Sequence, residues 1–159
     1  IVVTAGYSYP AMGAGLLITP NYGIPAIITL TNTLIGDNAL HVGINAPVSD
    51  DCYGKVRAKG YNLIETMAHC QFEGPSIGDV LGIDPKLGPL QLNGGSTLTQ
   101  SPLPGSPAID AGRPTGCTDD LGALLTIDQR GWRRPIGSHC DIGAVEYSPF
   151  AIDLPLVRR

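Results

Sequence analysis

Charged residues are scarce in this sequence. Asp, Glu, Lys and Arg make up 15% of its 159 residues, whereas an average soluble domain contains about 25%. Only 10 residues are Lys or Arg, and binding to nucleic acid needs a broad basic surface that neutralises phosphates. The sequence also lacks the run of about 18 apolar residues that a membrane-spanning helix needs. We therefore expect neither a nucleic-acid partner nor a transmembrane segment.

The sequence contains no long segment in which apolar residues recur with the spacing of an amphipathic helix. Instead, 21 Gly and 14 Pro divide the chain into short apolar bursts. The burst AIITLTNTLI, residues 26–35, is rich in β-branched residues that alternate as one face of a sheet requires. The chain length suits one domain. We therefore predict a single all-β domain over residues 1–159.

Aliphatic pairs recur along the first half of the chain. Repetition of this kind is typical of solenoids, in which each structural unit stacks on the previous one. We predict a short parallel β-helix over about residues 1–83, with coils about 4.8 Å apart. The pairs, which lie about 18, 29 and 18 residues apart, are Leu16/Leu17, Leu34/Ile35, Leu63/Ile64 and Leu81/Ile83.

From residue 84 the sequence becomes so rich in Pro and Gly that few regular strands can form. We predict that residues 84–147 form a disulfide-stapled capping segment that lies across the solenoid. Residues 148–159 are expected to form a C-terminal tail. Five aliphatic side chains are expected to anchor the segment to the coil beneath it: Leu87, Leu90, Leu98, Leu103 and Ile109.

The four cysteines form two local pairs and show no zinc-finger spacing. Three disulfide connectivities are possible. We favour Cys52 with Cys70 and Cys117 with Cys140, because each bond would close a turn-rich loop and contribute about 3 kcal/mol. Disulfides indicate an oxidising compartment and hence secretion. The start at Ile1, without Met or a signal peptide, suggests a processed or partial product of a longer precursor.

Three stretches carry a family resemblance: GYNLI (60–64), GIDPKLGPLQLNGGSTLTQSPLPGSPAIDAG (82–112) and DQRGWRRPIGSHCDIGAVEY (128–147). Over about residues 24–147 the sequence resembles the C-terminal part of the bacterial choice-of-anchor Q proteins. The resemblance implies a right-handed parallel β-helix with a C-terminal cap, exported to the cell surface. It implies no catalytic activity. Trp132 and Arg133 stand where that family typically has a small or aliphatic residue and Pro.

Charged residues concentrate in the stretch 126–147. Asp128, Arg130, Arg134 and Asp141 are the residue types of a calcium-dependent polysaccharide lyase, in which Arg or Lys acts as base. They are also the types that close the end of a sheet by charge-assisted hydrogen bonds. Lyases carry their carboxylates on successive coils, whereas these residues follow the repeats. We therefore favour the cap over the active site.

Two weaker patterns suggest a metal ion. His69-Cys70 and His139-Cys140 contain zinc-ligand residue types, but their cysteines are better used in disulfides. The acidic turn SDDC (49–52) with Asp79 or Asp84 could supply oxygen ligands to calcium. No repeated calcium-binding motif supports this set, so we expect no cofactor and keep calcium as a weak possibility.

Both chain ends contain apolar residues suited to strand addition. We predict that subunits associate head to tail, through the edges of the solenoid and the terminal strands, which gives an open filament if the rotation does not close. The alternative is a monomer whose ends fold back on their own coils. The residues expected to make the contacts are Ile1, Val2, Val3, Ile152, Leu154, Leu156 and Val157.

These observations favour a secreted, non-catalytic structural protein of a bacterial cell surface or extracellular filament. The other function that fits a β-helix is binding or cleavage of polysaccharide. In that case a surface glycan would contact Tyr53, Tyr61, Trp132 and Arg133.

Overall fold

The computed structural model describes residues 2–3, 15–18, 26–40, 48–119 and 121–149. Within these ranges the chain forms short β-strands and no helix, and nothing in them is long and apolar enough to cross a bilayer as a helix. The strands are β1 (Val2–Val3), β2 (Leu16–Ile18), β3 (Ile28–Leu30), β4 (Leu34–Ile35), β5 (Ala39–Leu40), β6 (Val48–Ser49), β7 (Cys52–Ala58), β8 (Leu63–Ile64), β9 (His69–Glu73) and β10 (Val80–Leu81).

The larger sheet is built around β7, and all its strands run parallel. Two strands share one edge of β7: β2 pairs with its beginning and β3 with its end. The other edge of β7 pairs with β9, so that Val56 stands between Ile28 and Phe72. Strand β1 continues the sheet beyond β2.

The smaller parallel sheet has the order β4-β8-β10. Its register places Leu34/Ile35 opposite Leu63/Ile64, as the repeat predicts. The next pair is Val80/Leu81, not the expected Leu81/Ile83. Gly82 has a positive φ of 73° and ends the strand there, because only glycine adopts that conformation freely. Leu16/Leu17 lies in the other sheet, opposite Cys52/Tyr53, so its predicted alignment with Leu34/Ile35 is wrong.

The chain alternates between the two sheets in three tiers: β3–β4 is the first tier, β7–β8 the second and β9–β10 the third. Side chains alternate in direction along a strand. Ile64 therefore packs toward the larger sheet, against a core that includes Leu16 and Val56, while its neighbour Leu63 points to the opposite face. The all-β fold with parallel strands is confirmed; a closed solenoid coil is not shown by the described residues.

The segment 84–149 covers the outer face of the smaller sheet. Its Ala108 and Ile142 pack on Leu63, with Leu34 and Val80 at the margin. Its described residues form no regular strand, as expected, and are held by isolated antiparallel bridges. The predicted capping segment thus lies mainly against a sheet face.

The aliphatic anchors predicted for this segment are partly wrong. Leu90, Leu98 and Leu103 are 62%, 53% and 45% exposed. Proline and small residues are buried instead, including Pro85 and Ser106, and the Ser106 hydroxyl donates to the Pro85 carbonyl at 2.5 Å. Small side chains let the backbone approach the sheet closely, which places the leucines on the outside.

Two disulfides have the expected pairing. Cys52–Cys70 links β7 to β9, with the Cα atoms 5.5 Å apart. Cys117–Cys140 links two parts of the 84–149 segment, with the Cα atoms 6.0 Å apart. Cys52–Cys70 thus joins two strands that already pair in a parallel ladder, whereas Cys117–Cys140 fixes a contact outside the regular strands.

Replacing Leu63 by Ala tests whether the segment and the sheet form one packed unit. Leu63 is fully buried between them, so Leu63→Ala should lower the free energy of unfolding by about 2–5 kcal/mol. Urea denaturation would measure the loss. The exposed Leu90→Ala is the matched control and should change the free energy by less than about 0.5 kcal/mol; equal effects would contradict this packing.

Candidate functional site: a buried charged cluster and its cleft

The four charged residues singled out in the stretch 126–147 are all buried. Asp128, Arg130, Arg134 and Asp141 come together with Glu146. A buried charge is unfavourable unless hydrogen bonds and an opposite charge compensate it. The partners of each group therefore show what this cluster can do.

Both carboxylate oxygens of Asp128 have hydrogen-bond or ion-pair partners. Its Oδ2 lies 2.8 Å from Nη2 of Arg130 and accepts the Glu146 N–H at 3.1 Å. Its Oδ1 accepts the N–H groups of Arg130 and Trp132 at 2.8 and 3.1 Å. Burial alone would raise the pKa of Asp128, but these hydrogen bonds outweigh it and hold the pKa below its ordinary value.

Arg130 connects this stretch to the Asn93-Gly94-Gly95 turn. Its Nη1 donates to the Asn93 carbonyl at 3.3 Å, and its guanidinium lies 4.0 Å from the centre of the Trp132 ring. A Cβ at Gly94 would come within 2.9 Å of that ring, and one at Gly95 within 2.8 Å of the Arg130 Cα. Two of the three stretches that carry the family resemblance therefore pack directly on each other.

Arg134 holds the following turn. Its Nη2 donates to the carbonyls of Asp141 and Gly143 at 2.6 and 2.7 Å. Its Nε lies 2.9 Å from Oε1 of Glu146, although the N–H does not point at a hydrogen-bond acceptor. Arg134 and Glu146 thus form an ion pair in which the Nε–H makes no hydrogen bond. Glu146 also accepts the N–H groups of Asp141 and Ile136, at 3.0 and 3.1 Å.

Among the described residues, the Asp141 carboxylate pairs with no cationic side chain. Its carboxylate accepts the N–H groups of Asp110, at 2.7 Å, and Tyr147. Burial is the main cause that raises its pKa to about 6; these hydrogen bonds oppose the rise, and the charges of Glu146 and Asp110 add to it. The ionised form of Asp141 is thus disfavoured.

Sequence reasoning missed Glu146 and Asp110. Glu146 interrupts the apolar run that ends in Val145, and a lone carboxylate in such a run is a signal of a buried ion pair. Asp110 adopts a positive φ of 54° and accepts the His139 N–H at 2.9 Å. Its role depends on a contact across 29 residues, which no local pattern encodes.

A cleft of about 640 Å³ lies beside the cluster, between residues 31–34 and the 84–149 segment. One group of lining residues is aliphatic and includes Leu87, Leu125 and Ile127; a second carries hydroxyls and amides and includes Thr99 and Gln100. Arg134 also lines the cleft. This lining suits a neutral ligand with both apolar and hydrogen-bonding groups.

The residues suggested for a metal are occupied by other contacts. The Asp51 carboxylate accepts hydrogen bonds from Nδ2 of Asn38 at 2.9 Å and from the Thr66 N–H at 2.6 Å. Asp79 accepts the Asn62 N–H at 2.7 Å, and Asp84 accepts the Lys86 N–H at 2.6 Å. Within the described ranges, no three His, Cys, Asp or Glu side chains converge as metal ligands would.

The aromatic residues suggested for a glycan have separate partners. Tyr53 lies 5.9 Å from the His69 ring, and Tyr61 lies 5.9 Å from the Arg113 guanidinium. Trp132 stacks on Arg130 as described above, and Arg133 is exposed. The ring contacts of the described residues do not join these aromatics into one platform.

Most residues predicted to make assembly contacts lie outside the described residues: Ile1, Ile152, Leu154, Leu156 and Val157. Val2 and Val3 form β1, whose backbone pairs in parallel with Leu17 and Ile18 of β2. The N-terminal strand therefore belongs to the larger sheet of its own chain.

No protein family, curated protein or solved structure matches this chain. The resemblance to the choice-of-anchor Q proteins accordingly stays a prediction.

Asp141 gives the protein a characteristic pH dependence. Its pKa is about 6 in the folded protein and 3.8 ordinarily, so folding favours the protonated form. This stabilisation is fully present below about pH 3.8 and is lost as the pH rises through 6; it amounts to about 3 kcal/mol. The pKa of Asp128 is lowered, so its ionised form stabilises the folded protein. This stabilisation is present above the ordinary pKa of 3.8 and is lost as the pH falls below it.

Asp141→Asn should therefore flatten the stability profile between pH 4 and 7, because an amide does not titrate. Chemical denaturation at closely spaced pH values measures the slope. Asp84→Asn, in an exposed turn, is the control and should keep the slope of the unmodified protein. An unchanged slope in Asp141→Asn would show that another group carries the pH dependence.

Proposed function

We propose that this chain is a short right-handed parallel β-helix that serves as a secreted, non-catalytic structural component of a bacterial cell surface or extracellular filament. The alternation of strands between two parallel sheets supports the β-helix, since stacked coils produce such tiers. The resemblance to the choice-of-anchor Q proteins supports the handedness and the surface location.

The observation that carries the proposal is the edge of the third tier, where half-buried inward side chains lie beside strands that pair on one side only within the described part of the chain. Among the described strands, β9 pairs only with β7, and β10 only with β8. Their inward side chains, Phe72 and Leu81, are only half-buried, although Val56 and Ile64 in the tier below are fully buried. Unpaired strand edges beside exposed core residues are a template for a further strand.

The charged cluster supports a structural role. Asp128 and Glu146 accept hydrogen bonds from several backbone N–H groups, and Arg130 and Arg134 hold carbonyls of the same segment. These groups fix the fold of the 84–149 segment. A lyase would instead need carboxylates and a base directed at a substrate.

The two disulfides support an extracellular location, since such bonds persist in oxidising compartments. They also suit a structural protein. Cys52–Cys70 lies in the strands next to the open edge, so the proposed docking surface is held in shape before any partner arrives.

The alternative function is polysaccharide binding, and the cleft is the observation that favours it. Hydroxyl and amide side chains beside aliphatic ones can contact both faces of a sugar. The structural proposal predicts that a glycan array retains none of this protein. A retained glycan whose binding is lost in Gln100→Ala/Gln129→Ala, which alters the cleft lining, would favour the alternative.

Self-association through the third tier is tested by placing charge on its edge. Gln71 and Ile77 are exposed in this tier, and Gln71→Glu/Ile77→Glu should raise the concentration needed for assembly by about tenfold or more. Light scattering and negative-stain electron microscopy would measure this.

Leu90→Glu/Leu92→Glu is the control, because both leucines are exposed on the 84–149 segment. It adds the same charge away from the third tier and should assemble like the unmodified protein. Single particles of the unmodified protein at all concentrations would overturn the proposal.

A further inference from the structure

The cleft beside the charged cluster contains a hydrogen-bond donor that the fold leaves unused. The Arg134 side chain is only 4% exposed, and its Nη2 is bound to two carbonyls, as described above. Its Nε is completely buried beside Glu146 and makes no hydrogen bond. Nη1 also makes no hydrogen bond to the described residues, but it is not completely buried. Because Arg134 lines the cleft, its accessible Nη1 is a donor for a ligand there.

Two glutamines supply acceptors to the same cleft. Nε2 of Gln100 donates to the Gly88 carbonyl at 3.3 Å, and Nε2 of Gln129 donates to the Thr97 hydroxyl at 3.0 Å. These hydrogen bonds orient both amides and leave each Oε1 without a donor among the described residues. Both glutamines line the cleft. The lining therefore contains one unused donor and two unused acceptors.

Aliphatic side chains form another part of the lining. Leu125 and Ile127 line the cleft although they are 39% and 60% exposed. Leu87 and Pro102, which face each other in an isolated bridge, line it as well. Exposed apolar side chains that gather at a cleft are typical of a binding site. A ligand of this cleft should therefore carry an aliphatic group.

The charges of the cleft favour an uncharged ligand. Its two charged lining residues are Asp128 and Arg134, and each has an opposite charge at 2.8 or 2.9 Å. An ionised ligand would lose hydration in the cleft without gaining a counter-charge that is still unpaired. The ligand therefore needs a neutral acceptor for Arg134 and a neutral donor for the glutamines.

We propose that this cleft binds a secondary amide that carries an aliphatic group. The ligand's carbonyl accepts a hydrogen bond from Nη1 of Arg134, and its N–H donates to Oε1 of Gln100 or Gln129. Its aliphatic group packs on Leu125 and Ile127. A sugar fits less well, because its hydroxyls would face these aliphatic side chains without hydrogen bonds. Such a ligand site is independent of the proposed structural function, since binding does not require assembly.

The first test compares small ligands by saturation-transfer NMR, which observes the ligand whether or not copies of the protein assemble. N-methylhexanamide supplies the carbonyl, the N–H and the aliphatic chain, and it should bind. Hexanoate, which is ionised, should bind about tenfold more weakly. N,N-dimethylhexanamide has no N–H and should bind about fivefold more weakly.

The amide group can come from a peptide or from a free N-acyl compound. Acetyl-leucine methylamide, a blocked peptide, is therefore titrated beside N-methylhexanamide, and the tighter ligand identifies the source. Absence of binding by both amides would overturn the inference. Equal affinity for N-methylhexanamide and hexanoate would also overturn it.

The second test places a charge in the aliphatic part of the lining. Ile127→Asp should weaken binding of the amide by about tenfold or more, and the 60% exposure of Ile127 lets the fold accept a polar side chain there. Ile77→Asp is the matched control, because Ile77 is 58% exposed and lies in the third tier. It should bind the amide like the unmodified protein.

Equal affinity in Ile127→Asp and Ile77→Asp would show that the amide binds elsewhere and would overturn the inference. Retention of a glycan that is lost in Gln100→Ala/Gln129→Ala would assign the cleft to a sugar and would also overturn it. None of these measurements depends on assembly. Failure of the ligand site is therefore distinguishable from failure of the proposed function, which light scattering and electron microscopy test.

Discussion

The arrangement of the tiers depends on the amide of Asn62, which is completely buried. Its Nδ2 donates to Asp79 at 3.0 Å in the third tier and to the Leu30 carbonyl at 3.4 Å in the first, and its Oδ1 accepts the Thr33 N–H at 3.1 Å. A buried amide without these partners would be unfavourable. Asn62 therefore fixes the register of all three tiers, and a slip by one residue would exchange the faces of Leu63 and Ile64.

That register is what creates the charged cluster. Because Leu63 points away from the larger sheet, the 84–149 segment can bury Ile142 against it, and the adjacent Asp141 is buried with it. Replacing buried ion pairs by apolar residues is often neutral or stabilising, so the cluster contributes chiefly by fixing one conformation. The raised pKa of Asp141 shows that this arrangement is held against an electrostatic cost.

The sequence allowed prediction of features that depend on near neighbours or strong chemical preference. The short strands, the alignment of Leu34/Ile35 with Leu63/Ile64 and both disulfides belong to this group. Long-range pairings outside the repeat could not be predicted. Leu16 pairs with Cys52 across 36 residues, an interval outside the repeat, and the Asp110–His139 contact joins residues that share no local pattern. The exposed leucines were misjudged because apolar character alone does not show which residues a close backbone approach leaves outside.

The first and third tiers are chemically different, and this difference would limit how copies join in the assembly that we propose. At the first tier, Asn32 already bonds the chain's own Asp141 and Gly143, and β1 lies beyond β2. Direct stacking of the first tier of one copy on the third tier of another would have to displace these contacts. For this reason, an assembly that stacks coil on coil must either break these hydrogen bonds or form beside them.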